Sequence, residues 1–287
     1  MTVHGTTQER FAGVKAVMAA SLASGADLGA SFCATQGGET FVDIWGGHTG
    51  PDKSRDWERD TIVNVYSTTK TMAALTALLL ADRGVFDLHD KVAKYWPEFA
   101  SEGKADVTIA QLLSHSAGLS GWKEPLRRED LYDWSKCTDL LARQAPFWEP
   151  GTAPGYHALT QGYLVGEVIR RATGKTVGTV FREEIAEPLG ADFHIGLPAS
   201  EDDRVAELVP PPVAVGAQAS SELQSNMATN PEIDVGETAK RAWRGAEIPA
   251  AGGTGNARSV AEIHAILANG GVAKGKRFLS EAGCRRA

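Results

Sequence analysis

The chain has 287 residues, of which 43% are hydrophobic and 23% charged, and its formal net charge is −7. This composition is ordinary for a globular protein, and the length allows one large or two modest domains with an ample core. No clustered face of lysine and arginine offsets the acidic balance, which argues against a nucleic-acid partner.

The N-terminus and the cysteines bear on location. Residues 1–10 lack a basic segment followed by an apolar run, so no secretory signal is predicted. The longest strongly apolar run, 72–81, is too short to span a bilayer, so no membrane association is expected. Cys33, Cys137 and Cys284 are far apart and lack metal-ligand spacing. They are typical of free thiols in a reducing compartment, and we expect a cytoplasmic protein.

The first predicted elements are a helix and a hairpin. Apolar residues at helical spacing predict a helix over 10–23. Two short strands are predicted over 28–35 and 39–45, joined by a Gln-Gly-Gly turn at 36–38 whose glycines can adopt positive φ. A helix followed by a hairpin indicates a helix packed on an antiparallel sheet.

A Ser-x-x-Lys sequence comes next. A β-branched, extended run at 61–65 changes to an apolar helical run at 71–80, which ends at Gly84. Ser67 lies at the start of this helix, beside free backbone N–H groups and the positive end of the helix dipole. Lys70 lies one turn further on, so its amine can reach the serine hydroxyl. The pair is either a nucleophile with a candidate base or an N-cap with a solvated lysine.

The pattern downstream is mostly helical. A Thr-x-x-Gln capping box at Thr108 starts a short helix that ends near His115. Further helices are predicted over 137–144, from 159 to Gly174, over 176–187 before Pro188, and from a second capping box at Ser259 to 268. Between the last two, 201–250 shows no sustained period and is predicted to be a long connecting segment, of the kind that can cover a site.

Several common sites are excluded. The chain has no Gly-x-Ser-x-Gly and no His-Glu-x-x-His, and its seven histidines are scattered. The glycine-rich stretch 252–255 lacks the Lys and Ser/Thr of a phosphate loop. We therefore expect neither a metal nor an organic cofactor. His115 is either a catalytic base or a helix-end residue that hydrogen-bonds the following loop.

Three motifs follow one another along the chain. They are Ser67-Thr68-Thr69-Lys70, then Leu112-Leu113-Ser114-His115-Ser116-Ala117-Gly118-Leu119, then Pro150-Gly151 with Gly155-Tyr156-His157-Ala158. In order and spacing they resemble the serine hydrolases of the class C β-lactamase and penicillin-recognising fold. Within that superfamily the chain looks most like the β-lactamase-like carboxylesterases of family VIII.

The resemblance implies an α+β fold of the β-lactamase/transpeptidase type, in which helices flank an antiparallel sheet. It implies a single domain over 1–287, with a mainly helical region at 67–200 and the connecting segment at 201–250. The family's third motif lies on a C-terminal strand that flanks the serine and supplies a second oxyanion donor. Nothing like it follows Leu279, and the sheet is expected to be incomplete. The N-terminal hairpin would then be unsupported, with an open edge suited to self-association.

The resemblance also implies residue roles. Ser67 corresponds to the acylated nucleophile, and Lys70 keeps the serine proton mobile. Tyr156 corresponds to the general base, which requires its pKa to fall well below the usual value of about 10. Without the resemblance, Tyr156 would be interpreted as a packed aromatic at a helix start.

Three further residues are candidates for binding substrate. Trp122 and Trp148 lie in loops that flank the motifs, and His157 follows the tyrosine directly. Tryptophans at such places also serve in packing.

The activity implied is hydrolysis of a short-chain carboxylic ester, a small-molecule substrate, through an acyl-enzyme on Ser67. Ala158 stands where β-lactamases of this class have asparagine, which disfavours β-lactam turnover. A second interpretation within the fold is an amide hydrolase or acyltransferase. A third is a catalytically impaired remnant that binds a ligand or partner, since loss of one oxyanion donor costs about 100- to 1,000-fold in rate.

Overall fold

The computed structural model describes residues 2–210 and 221–287. The strands are β1 (Val3–Thr7), β2 (Gly29–Gln36), β3 (Glu39–Gly47), β4 (Val63–Asn64), β5 (Phe193–His194), β6 (Thr254–Gly255), β7 (Val272–Ala273) and β8 (Lys276–Arg277). The helices are α1 (Ala12–Ser24), α2 (Thr68–Asp82), α3 (Ile109–Leu113), α4 (Trp134–Arg143), α5 (Thr160–Thr173), α6 (Val177–Phe181), α7 (Glu187–Leu189), α8 (Glu222–Thr229), α9 (Arg241–Gly245), α10 (Ala257–Ala268) and α11 (Glu281–Cys284). None of the helices in these ranges is both long and apolar enough to cross a bilayer.

The N-terminal sheet has three antiparallel strands in the order β1-β3-β2. The predicted hairpin is confirmed, and its turn places Gly37 and Gly38 at φ 59° and 86°. The expectation of an unsupported hairpin is wrong, because β1 pairs along β3 from Val3 opposite Gly46 to Thr7 opposite Val42. No pattern in residues 3–7 predicts β1, because this edge strand does not alternate and has a single buried residue.

Helices cover both faces of this sheet. Leu22 of α1 packs on the face that carries the fully buried Val42 and Ile44 of β3. Neighbours along a strand point to opposite faces, so Asp43 belongs to the other one. There it accepts two hydrogen bonds from the guanidinium of Arg258 in α10, at 2.7 and 3.1 Å. This pair ties the sheet to the C-terminal helix.

Helix α2 is the centre of a much larger core. Its leucines and alanines occur on all sides, which is typical of a helix buried all round. Leu79 is fully buried, and the helix packs against α5, α6 and α11. The predicted caps that flank this core at Thr108 and Gly174 are confirmed.

Other element ends differ from prediction. Helix α10 begins at the N-cap Asn256, whose side chain accepts from the N–H of Ser259, so the predicted cap at Ser259 is wrong. The helix that starts at Val177 continues past Pro188 to Leu189 through a π-helical turn. The segment 201–250 is not structureless, because it contains α8, α9 and short 3₁₀ turns; its residues 211–220 lie outside the described residues.

Candidate active site

Ser67 is presented by a tight turn between β4 and α2. Tyr66 has a φ of 43°, in the left-handed region that bulky residues rarely adopt. Its N–H donates to Asn64 Oδ1 at 3.2 Å, and its carbonyl accepts from the N–H of Thr69 at 2.9 Å. Strained backbone of this kind clusters at functional sites. The turn leaves Ser67 exposed at the first turn of the buried helix.

A glycine-rich segment runs beside this turn. The Asn64 amide donates to the carbonyl of Ala251, and the N–H of Val65 donates to the carbonyl of Gly253. The N–H of Gly253 donates to Thr69 Oγ1 at 2.8 Å, and a Cβ at Gly253 would lie 2.4 Å from that oxygen. The faint phosphate-loop pattern is therefore a close backbone approach that fixes the start of α2.

The three predicted catalytic side chains are in contact. Ser67 Oγ lies 2.6 Å from Tyr156 Oη, and Lys70 Nζ donates to Ser67 Oγ at 3.1 Å. Lys70 Nζ also lies 4.8 Å from the centre of the Tyr156 ring. Tyr156 remains 45% exposed, so the hydroxyl pair faces solvent over a buried amine.

Lys70 is held as a buried donor. Its side chain is 7% exposed, and besides Ser67 it donates to the carbonyls of Ala158 at 2.7 Å and Ala250 at 2.8 Å. An ammonium group has three N–H donors, and three acceptors surround this one. Burial lowers the pKa of Lys70 from its ordinary value, and its interaction with Tyr156 opposes that shift in part.

Tyr156 has the pKa direction that a base requires. Burial alone would raise the pKa of Tyr156. The hydrogen bonding of Ser67 and Lys70, together with the positive charge of Lys70, outweighs burial, and the net pKa is lowered. The phenol is thus biased toward the form that accepts the serine proton.

The loop that carries Tyr156 is fixed by two histidines. His115 Nδ1 accepts from the N–H of His157 at 3.0 Å, so its side chain binds the distant loop before α5 and not the loop that follows it in the chain. His157 is fully buried, and its ring contacts the carbonyl of Gly155 at 2.5 Å and the N–H of Leu119 at 3.0 Å. Burial lowers the pKa of His157 to about 4. The prediction that His157 binds substrate is wrong, because both ring nitrogens are occupied inside the protein.

The two tryptophans predicted to bind substrate lie in different environments. Trp122 is 1% exposed and donates from Nε1 to the carbonyl of Cys137, so its predicted role in lining a substrate pocket is wrong. Trp148 is half-buried and packs over Gly155, where a Cβ would lie 2.5 Å from its ring. It braces the loop before Tyr156, and its contact with substrate stays a prediction.

Sequence reasoning missed the acceptor at Ala250 and the supporting contacts of Asn64. A backbone carbonyl carries no residue signature, so no pattern could have identified Ala250. Asn64 stands three residues before Ser67, but its burial and the strained turn beside it are visible only in the structure.

An antiparallel sheet flanked by helices, with a serine at the head of the central buried helix and a lysine one turn on, defines a serine hydrolase of the β-lactamase/transpeptidase type. The profile of the Beta-lactamase family matches residues 14–282. The chain belongs to this family and is a hydrolase.

Individual relatives and solved structures are similar to the chain over nearly its whole length. "Esterase/beta-lactamase LipL" of Mycobacterium tuberculosis is 35% identical over 97% of this chain and 67% of its own length. Among solved structures, a family VIII carboxylesterase superposes with a TM-score of 0.93 at 46% identity, over 99% of this chain and 76% of the other. A penicillin-binding protein homologue from Caulobacter crescentus gives 0.92 at 38% identity over the same shares. The chain thus spans two thirds to three quarters of these relatives.

Proposed function

We propose that this hydrolase cleaves short-chain carboxylic esters through an acyl-enzyme on Ser67. The observation that carries the proposal is the contact of one exposed hydroxyl, Ser67 Oγ, with both Tyr156 Oη and Lys70 Nζ. A serine hydroxyl is a weak nucleophile until an adjacent base takes its proton. The lowered pKa of Tyr156 supports that residue as the base.

In the acylation step, the Tyr156 phenolate removes the proton of Ser67 while Oγ bonds to the ester carbonyl carbon. The tetrahedral intermediate collapses when Tyr156 returns the proton to the departing alcohol. Water then attacks the carbonyl carbon of the acyl-enzyme while Tyr156 takes its proton. Tyr156 returns that proton to Ser67 Oγ as the acid leaves. In this scheme Lys70 acts as a cation: its three N–H donors match the three acceptors around it, and its charge stabilises the phenolate.

The developing oxyanion needs donors. The N–H of Ser67 is one of them, since it lies at the N-terminus of α2, where the helix dipole also favours negative charge. This is the usual way in which a nucleophile at a helix start stabilises its own intermediate.

Esters are favoured over amides by the residue at 158. The carbonyl of Ala158 accepts a hydrogen bond from Lys70. Its methyl side chain has no amide group that could hydrogen-bond an amide substrate. The names of the relatives, a carboxylesterase and an esterase/β-lactamase, support ester cleavage and keep β-lactam hydrolysis as the second candidate. Nitrocefin turnover comparable to ester turnover would favour that second candidate.

The direct test is p-nitrophenyl butyrate hydrolysis by wild type, Ser67→Ala and Ser135→Ala, an exposed serine at the start of α4 that serves as the matched control. We expect activity in wild type and the control and none above background in Ser67→Ala. A fluorophosphonate probe with intact-mass analysis should add one adduct, which Ser67→Ala abolishes. Equal rates in wild type and Ser67→Ala would contradict the proposal, and no adduct at all would favour a binding protein.

The cysteines support a cytoplasmic location, because Cys33, Cys137 and Cys284 are all free thiols and a reducing compartment keeps them so. Fractionation of cells that express the protein from its own gene tests this, and recovery outside the cytoplasm would contradict it.

A further inference from the structure

The N–H groups of both residues that flank Tyr156 donate hydrogen bonds to one residue. The N–H of Gly155 donates to the carbonyl of His115 at 2.9 Å, and the N–H of His157 donates to His115 Nδ1 at 3.0 Å. The backbone of Tyr156 is therefore held on both sides by a single partner. Neither bond involves substrate or the reacting atoms.

The side chain of Tyr156 rests on the same residue. The ring centres of His115 and Tyr156 are 4.9 Å apart at 48°. The preceding segment 151–154 is exposed and contains glycine and proline, so it offers the phenol little support of its own. Orientation of a reacting group is worth a large rate factor, and a misplacement of about 1 Å can cost about 100-fold.

His115 is itself fixed in an unusual conformation. Its φ is 60°, in the left-handed region, which residues other than glycine adopt uncommonly, although histidine does so more often than most. The next residue, Ser116, anchors the same loop further on, because its carbonyl accepts from the N–H of Gly151 at 2.8 Å. A strained residue retained next to a site points to a function for its side chain.

We propose that His115 is a positioning residue, which holds the Tyr156 hydroxyl against Ser67 by accepting the N–H of His157 and by packing under the phenol ring. This role rests on the proposed function of Tyr156 as the base. His115 acts through Tyr156 and does not contact the reacting atoms, so its loss lowers kcat and leaves KM nearly unchanged.

The contacts by which His115 holds Tyr156 form a clamp, and this clamp requires an unprotonated Nδ1 on His115. Protonation would turn this acceptor into a donor and place a second cation near Lys70. Lys70 faces His115 from α2, Tyr156 and His157 face it from the loop, and the neutral amide of Gln161 faces it from α5. Burial and the charge of Lys70 lower the pKa of His115 below its usual value of 6.5. The clamp is therefore intact at neutral pH and opens only on the acid side of that value.

Two substitutions separate the side chain from the backbone strain, because glycine and asparagine both tolerate a left-handed φ. His115→Gly removes the acceptor and the ring. His115→Asn keeps an acceptor, Oδ1, close to the position of Nδ1, and it cannot be protonated. His89→Gly, at an exposed histidine in a turn, is the matched control.

We expect His115→Gly to lower kcat for p-nitrophenyl butyrate by about 100-fold, with KM changed less than about twofold. His115→Asn should recover most of that loss. Below pH 6.5 both wild type and His115→Asn should slow as Tyr156 is protonated, but only wild type should show the additional fall in kcat that protonation of His115 causes. Wild-type kcat in His115→Gly, or a slow His115→Asn with an unchanged melting temperature, would overturn the proposal.

A second readout does not need turnover. The near-ultraviolet phenolate titration of Tyr156, taken as the difference from Tyr156→Phe, should move to higher pH in His115→Gly and stay in place in His115→Asn. Identical titrations in wild type and His115→Gly would overturn the positioning role. Wild type without ester turnover or a Ser67 adduct would instead contradict the proposed function.

Discussion

The two parts of the molecule are packed very differently. The sheet part, β1–β3 with α1, has a small core whose fully or nearly buried members are Val3, Leu22, Val42 and Ile44. The helical part, which begins at α2, has one continuous core that extends through α5 and α6 to α10 and the C-terminal residues. The helical part, with its continuous close-packed core, is therefore the more rigid support for a site.

Every group in the candidate active site is anchored to the helical part. Ser67 and Lys70 belong to α2, Tyr156 lies in the loop that enters α5, and the carbonyl of Ala250 comes from the segment that runs beside α2. The sheet part joins the helical part where β2 packs against α10 and where Arg258 of α10 pairs with Asp43. The site geometry therefore depends on the large core.

The largest expected effect is on activity alone. Tyr156→Phe should lower kcat/KM for p-nitrophenyl butyrate by about 100- to 10,000-fold, because it removes the proposed base. The free energy of unfolding should change by less than about 1 kcal/mol, since an exposed side chain contributes little to packing. Steady-state kinetics and urea unfolding measure the two quantities.

The matched control is Tyr95→Phe, which also removes a phenol oxygen, here one that donates to Asp90 at 2.7 Å. It should leave kcat/KM unchanged. If Tyr156→Phe keeps wild-type activity, the phenol is not the base, and the site would need another proton acceptor.

Because the two cores differ in size, the same Leu→Ala substitution should lower the free energy of unfolding by different amounts in each. Leu79 in the helical part and Leu22 in the sheet part are both fully buried, so Leu79→Ala and Leu22→Ala remove the same transfer free energy. Their cavities differ, since a small cluster at the edge of the molecule can collapse further than a continuous core. We expect the free energy of unfolding to fall by about 4–5 kcal/mol in Leu79→Ala and by about 3 kcal/mol in Leu22→Ala.

Fluorophosphonate labelling sharpens this difference. In partial denaturant, Leu79→Ala should lose labelling of Ser67 as it unfolds, whereas Leu22→Ala should loosen the sheet while the site still reacts. Amide exchange in β3 should quicken more in Leu22→Ala than in Leu79→Ala. The reverse ranking would mean that the sheet, and not the helical core, holds the site.

What the sequence predicted was largely local. Ser67 and Lys70 meet because residues three apart lie on one face of a helix, and the caps at Thr108 and Gly174 are short-range patterns. The long-range expectation that Tyr156 lies beside Ser67 came from a family resemblance and not from periodicity, and the two hydroxyls are 2.6 Å apart. The fold class, and the three side chains that meet at the candidate site, could be predicted for these reasons.

The features that were predicted wrongly or not at all depend on long-range contacts or on local patterns with two interpretations. Strand β1 forms because β3 offers a partner edge, which its own residues do not reveal. Trp122 and His157 were placed near substrate by proximity in sequence, but burial decides their roles, and burial depends on the whole fold. Asn256 and Ser259 are both good N-cap residues, and only the structure distinguishes them.

The smallest expected effect concerns the outer edge of the sheet. In the sheet that the described residues form, β2 is an edge strand, and its eight residues carry no charge. Charged residues, lysine above all, are a common device by which edge strands avoid pairing with other chains. Phe32 of β2 is 43% exposed, and the strand borders a groove of about 1070 Å³ whose other wall includes Val260 and His264 of α10.

We therefore expect weak self-association through this edge, and Phe32→Lys should weaken it about tenfold, or about 1.4 kcal/mol. Val17→Lys is the matched control, because Val17 is 71% exposed but lies on α1, away from the edge. Sedimentation velocity over a range of concentrations measures both. A wild type that is monomeric at every concentration, or equal weakening by the two variants, would contradict pairing at β2. Ester turnover should be unchanged in Val17→Lys, since α1 carries none of the catalytic groups.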